Sequence, residues 1–165
     1  MNYLLDTSAV LAHYHREPGS LQVQALFDQA ASTILLAAPS MIEIDTALKV
    51  RISDEGQRRV VLDSYAGRLA RVVPLDHAAA VAAISVKATA LKRLPAMDAL
   101  IAGCAVASGA TLVHRDPHFD AVPAGRLKTL RLSDTADPAP SDVPPVVKES
   151  SGAYAVRKGK GRKRN

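Results

Sequence analysis

The sequence predicts an α/β fold of three layers, with helices on both faces of a central, mainly parallel sheet. Short runs rich in Val, Leu and Ile recur along the first 132 residues, and stretches of helical length separate them. That alternation is the pattern of parallel strands covered on both faces, because each parallel crossover carries the chain back through a helix. Size and composition agree. A chain of 165 residues, 48% hydrophobic and 22% charged with a mean hydropathy of +0.04, suits one soluble domain with a single sizeable core.

The elements follow in order. "NYLL" (2–5) reads as the first strand and "TSAVLAHY" (7–14) as a short helix behind it. "PGSLQVQALFDQAA" (18–31) offers Leu21, Val23, Leu26 and Phe27 as a helix face, and "TILLAA" (33–38) is a second buried strand. In "PSMIEIDTALKVRI" (39–52), Pro39-Ser40 is a start signal and Ile42, Ala47, Leu48 and Ile52 fall near helical spacing. "DEGQRRVVLDSYAGRLA" (54–70) is amphipathic, and a strand at "RVVPL" (71–75) follows it. "DHAAAVAAISVKATALKRL" (76–94) is a long Ala-rich helix with Asp76 as its cap, and "PAMDALIAGCAVASG" (95–109) is a further helix ended by Gly109. Strands at "ATLVHRD" (110–116) and "RLKTLRL" (126–132) complete the body. There is no internal repeat.

After Leu132 the composition changes. Residues 133–165 are Pro-rich, lack core-forming periodicity and end in "RKGKGRKR" (157–164), so they read as a disordered tail on a domain of residues 1–132. The net charge of +5 is uneven: residues 1–133 carry 14 Lys and Arg against 12 Asp and Glu, and residues 134–165 carry 7 against 4. The tail therefore biases the molecule toward polyanions more than the body does.

Several classes are excluded. No window approaches about 18 uninterrupted apolar residues, so no membrane span is expected. The N-terminus lacks a basic region, apolar core and small-residue cleavage site, which argues for a cytoplasmic location. The lone Cys104 has no partner for an internal disulfide and reads as a small buried apolar residue rather than a nucleophile.

The informative residues are acids in apolar company. Asp6 ends the first strand, where it either caps the following helix or belongs to a site. Asp116 closes the strand "TLVHRD" in the same way, and ligands of parallel α/β sheets bind at the carboxyl ends of strands. Glu43 lies among Met41, Ile42 and Ile44, and Asp98 sits in "PAMDALIAG". A carboxylate in such surroundings needs compensation. Four gathered at one rim would repel each other unless a divalent cation neutralised them, and a partial shell of hard oxygen ligands suits Mg²⁺ or Mn²⁺. Such an ion lowers the pKa of a bound water and offsets charge on a phosphate under in-line attack. No Gly-rich phosphate loop, HExxH or Ser-His-Asp arrangement competes with this reading.

"LLDTSAVLA", "PSMIEIDTAL" and "LPAMDALIAGCAVASGATLVHRDPHFD", in this order and at these separations, resemble a PIN domain, specifically a VapC-type toxin ribonuclease. The resemblance covers residues 1–132. It implies a Mg²⁺-dependent endoribonuclease acting on structured RNA, the toxic half of a toxin–antitoxin pair, inhibited by its cognate antitoxin and forming a homodimer. By position, Asp6 and Asp98 match the family's principal metal ligands, Glu43 and Asp116 complete the acidic rim, and Ser8 matches the small hydroxyl residue that supports the first Asp. Many relatives carry Thr-x-Asp-x-Asp-Phe after the fourth strand; here "HRDPHF" puts His114 in place of the Thr and His118 in place of the second Asp, which implies less negative charge at that rim.

Other polar residues read more plainly. Asp120 in "HFDAVP" and Asp45 are expected at the surface, His13 and His15 as solvated surface residues near the end of the first helix, and Arg115 as a candidate phosphate contact. Two alternatives are weighed. A non-catalytic PIN-fold module that binds RNA or a partner would be marked by loss of an acid, and none of the four is missing. A haloacid-dehalogenase-like phosphatase wants a second acid two residues after the first, where this chain has Ser8.

Overall fold

The computed structural model of the protein describes residues 1–135. From residue 136 onward the expected tail, including the basic run at 157–164, lies outside the described residues. Five strands, β1 (Asn2–Leu5), β2 (Thr33–Ala37), β3 (Arg71–Val73), β4 (Thr111–His114) and β5 (Thr129–Arg131), form one sheet in the order β3-β2-β1-β4-β5, and all its pairings are parallel. Six helices, α1 (Thr7–His15), α2 (Ser20–Asp28), α3 (Ala38–Lys49), α4 (Glu55–Asp63), α5 (His77–Thr89) and α6 (Ala96–Ala107), cover it.

Period-two alternation along the strands builds two cores. Leu4, Leu35 and Leu112 pair in register and point with Ala37 toward α5 and α6. Their neighbours Leu5, Leu36 and Val113, also in register, face the other layer, which α1, α2, α3 and α4 supply. A strand buried on both faces has no polar side to show, which is why "NYLL" and "TILLA" carry apolar residues at successive positions.

Helix ends sit where the caps dictate. The Asp54 carboxylate accepts from the Gln57 N–H at 2.7 Å and Asp76 from the Ala79 N–H at 2.9 Å, opening α4 and α5. Pro39 lies in the first turn of α3, where its missing N–H costs nothing. The helix expected over 54–70 divides: α4 stops at Asp63 and the chain continues as a π-helical turn, Ser64–Leu69. That turn carries Tyr65 into the α1–α2 layer. The last strand, expected over 126–132, narrows to three residues. Gly103 lets α6 approach α5 closely: a Cβ there would lie 2.3 Å from the Ala79 carbonyl oxygen. No helix among the described residues is long and apolar enough to cross a membrane.

The topology also creates the crevice that matters for function. The chain builds β1, β2 and β3 outward in one direction, then returns to add β4 and β5 on the other side of β1. Strand order thus reverses between β1 and β4, and the carboxyl ends of those two strands are the switch point where parallel α/β sheets take ligands.

Candidate active site

Asp6 and Asp116 follow the two strands that flank the switch point. The Asp6 N–H extends the β1–β4 ladder by donating to the Val113 carbonyl at 2.9 Å. Its carboxylate takes the first of the two roles the sequence left open, that of a cap. It is the N-cap of α1, and it is almost wholly buried. Oδ2 accepts from the Ser8 N–H at 3.0 Å and from the Ser8 hydroxyl at 2.5 Å. Ser8 Oγ in turn accepts the Arg115 N–H at 2.9 Å, so the backbone just beyond β4 fixes the hydroxyl that holds Asp6. Burial raises the Asp6 pKa from 3.8 to about 6. The Ser8 and Thr7 hydrogen bonds oppose that rise, and the Glu43 charge adds to it.

Glu43 projects from α3 and is half-buried, held by the Thr7 hydroxyl, which donates to Oε2 at 2.7 Å. Asp98 lies in the first turn of α6, where the helix N-terminus favours a carboxylate. Burial raises its pKa first, the Asp116 charge second; His118 pulls the other way and Glu43 adds a smaller rise. Asp116 caps the 3₁₀ turn Pro117–Ala121, its Oδ1 accepting from the His118 N–H at 2.8 Å. The His118 imidazole stands over both acids, with Nδ1 3.1 Å from Asp98 Oδ2 and 3.0 Å from Asp116 Oδ1. Asp98 Oδ2 is buried, and the His118 imidazole is the group that meets it. Asp98, Asp116 and His118 each offer one ligand atom within 4.8 Å of the others, and they are the residues that can share an ion among the described ones. Glu43 links the two sides of the rim, its charge acting on both Asp6 and Asp98. Two carboxylates and an imidazole converging with a buried oxygen among them are what a divalent cation satisfies, so the donor set fits one.

The remaining candidates divide. Arg115 pairs through Nη1 with Glu17 Oε2 at 2.9 Å, at the far end of α1. Asp120 is surface-exposed and pairs with Arg131. Asp45, partly exposed, neutralises Arg58, which is buried and also donates to the Ile52 and Ser53 carbonyls. Cys104 is buried in the α5–α6 core as expected. The expectation for His13 is corrected: it is not a solvated surface residue but 6% exposed, with Nδ1 2.7 Å from the Tyr65 hydroxyl and Nε2 3.1 Å from Gln24 Oε1. His15 is half-buried. His114 is also a core residue. Its Nδ1 donates to the Asp116 carbonyl at 2.8 Å, which holds the loop before His118, and burial lowers its pKa. His118, expected only as a replacement that removes negative charge from the rim, is drawn into the acidic cluster itself. Its signal was the Asp-Pro-His spacing, which seats an imidazole over the carboxylate two residues earlier.

A profile of the PIN domain family matches residues 3–125. The chain belongs to the PIN domain family. Solved structures with the same fold include VapBC2 of Rickettsia felis bound to a DNA fragment from its promoter. That match is 19% identical, covers 81% of this chain and 100% of that one, and has a TM-score of 0.65. FitAcB of Neisseria gonorrhoeae is 22% identical over 78% of this PIN domain chain and 96% of its own, with a TM-score of 0.59. VapC20 of Mycobacterium tuberculosis, a sarcin–ricin-loop-cleaving toxin, is 14% identical over 82% and 99%, with a TM-score of 0.57. No curated protein matches this PIN domain by sequence.

Proposed function

We propose that this PIN domain is a VapC-type, metal-dependent endoribonuclease, the cytoplasmic toxin of a toxin–antitoxin pair. The observation that carries the reading is the meeting of carboxylates from separate elements at the sheet's switch point, with Asp98 Oδ2 buried among them and met by the His118 imidazole. Asp98 and Asp116 would hold Mg²⁺, or Mn²⁺ in its place, with Asp6 and Glu43 completing the acidic rim. The bound ion supplies Lewis acidity, lowering the pKa of water and offsetting negative charge on the scissile phosphate.

The chain's own residues do the rest. Ser8 holds Asp6 in one rotamer through the Arg115 backbone, so the buried carboxylate is oriented before substrate arrives. Thr7 ties down Glu43 Oε2, leaving Oε1 to accept a proton from the attacking water. Arg115, at the rim beside Ser8, is positioned to exchange Glu17 for a substrate phosphate. The related toxins crystallised with antitoxins support an antitoxin partner for this chain. The exposed apolar side chains Ile42, Val50 and Val60 on or just beyond α3 and α4 support a homodimer.

Incubation of the full chain with structured RNA in Mg²⁺, Mn²⁺ or EDTA tests the activity. Cleavage that needs the ion and disappears in Asp98→Asn is expected; cleavage that persists in EDTA, or in the variant at the wild-type rate, overturns the assignment. Light scattering at tens of micromolar is expected to give the mass of a dimer, and a monomer mass refutes that assembly.

A further inference from the structure

The geometry points to His118 Nδ1 as a direct ligand of the ion shared by Asp98 and Asp116, making this a mixed nitrogen–oxygen centre that favours transition-metal ions over Mg²⁺. The inference rests on the metal-dependent reading above and says which ion that centre selects.

Three observations support it. An octahedral ion with bonds of about 2.1 Å places adjacent ligand atoms about 3.0 Å apart. His118 Nδ1 stands 3.1 Å from Asp98 Oδ2 and 3.0 Å from Asp116 Oδ1, the spacing of neighbouring positions on one such ion. Asp98 Oδ2 is buried and the His118 imidazole is the group that meets it, so this oxygen and Nδ1 face the same point. The local backbone fixes the arrangement: Asp116 caps the 3₁₀ turn through the His118 N–H at 2.8 Å, with Pro117 holding the turn between them. Carboxylate and imidazole are thereby presented together on one side of the turn.

The chemical consequence follows from ligand type. An imidazole adds a nitrogen donor without adding negative charge. Mg²⁺ binds through oxygen and depends on accumulated negative charge, whereas first-row transition ions gain from nitrogen ligands. With His118 where a further carboxylate would stand, the site gives up affinity for Mg²⁺ and gains it for Mn²⁺ and the ions beyond it in the series.

The test reads binding and coordination rather than turnover. The full chain, its His118→Ala and His118→Asp variants, and Asp98→Asn are titrated calorimetrically with Mn²⁺ and with Mg²⁺ at pH 8. Pulsed electron paramagnetic resonance on the Mn²⁺-loaded protein then looks for coordinated ¹⁴N. Nitrogen coupling is expected in the wild type and absent from His118→Ala, with Mn²⁺ affinity falling about tenfold or more and Mg²⁺ affinity changing much less. His118→Asp, which restores an oxygen ligand, is expected to shift the preference toward Mg²⁺. Bound Mn²⁺ in the wild type without nitrogen coupling overturns the role of His118 while leaving the metal site in place. Mn²⁺ binding that survives Asp98→Asn unchanged, or no binding to the wild type, overturns the metal-site reading itself. The half-exposed His118 side chain makes its variants compatible with folding, and the wild-type spectrum decides the ligand without them.

Discussion

Replacing Asp6 by Asn should make the metal-free protein more stable at neutral pH and leave it nearly unchanged in acid. The side chain is buried, and its pKa stands at about 6 in the folded protein against 3.8 when free. A carboxyl with a raised folded-state pKa binds its proton more tightly in the native protein than in the unfolded chain. Its contribution to stability is therefore fullest below pH 3.8 and is lost as pH rises to about 6, beyond which the loss is constant. At 1.36 kcal/mol per tenfold change in proton affinity, the step amounts to on the order of 3 kcal/mol. Asn keeps an oxygen to accept from the Ser8 N–H and hydroxyl but carries no charge, so it resembles protonated Asp6 at every pH. Urea unfolding in EDTA, followed by circular dichroism from pH 4 to pH 8, measures the difference directly. The two proteins should agree within about 1 kcal/mol near pH 4, and the variant should lead by roughly 2–3 kcal/mol at pH 7 and above. A difference that is constant across this range refutes the argument, because it means that Asp6 titrates alike in folded and unfolded chains.

Other perturbations probe the scaffold. Gly103→Ala gains about 1 kcal/mol of helix propensity but drives a methyl into the Ala79 carbonyl, so a net loss of about 2 kcal/mol is expected, read as a fall in Tm of several degrees. An unchanged Tm would mean that α5 and α6 do not meet so closely. Tyr65→Phe leaves His13 Nδ1 buried without its partner and should cost about 1–2 kcal/mol in denaturant unfolding with no effect on metal binding. Ser8→Ala removes the hydroxyl between Asp6 and the Arg115 N–H. It should lower stability by about 1–2 kcal/mol, and RNA cleavage should slow at saturating metal if that hydroxyl orients Asp6.

Most of the scaffold could be read from the chain because its local signals agree. Strands buried on both faces announce themselves as short apolar runs, and Asp54 and Asp76 sit where helices start. What escaped reading depends on partners distant in sequence. His13 becomes a core residue only because Tyr65, 52 positions later, arrives to bond it, and that arrival needs the π-helical turn that no amphipathic pattern signals. Arg58 is likewise buried only because Asp45 and two carbonyls meet its guanidinium. Within the site, the acids were conspicuous as charges in apolar surroundings. His118 stood out only as the replacement of an acid, because its contact with Asp98 depends on another helix bringing that carboxylate up against it.

The reversal of strand order at β1 also has a temporal consequence. Leu4 pairs with Leu112, so the ladder that brings Asp6 beside the segment leading to Asp116 closes a loop of more than a hundred residues. Contacts of such long sequence separation form late, and domains emerge from synthesis N-terminal part first. A growing chain can assemble β1, β2 and β3 with their helices while the crevice is still only half built. The acidic cluster therefore waits on the second half of the chain. No nascent or truncated form that ends before β4 contains Asp116 or the strand that leads to it, so none possesses the assembled cluster.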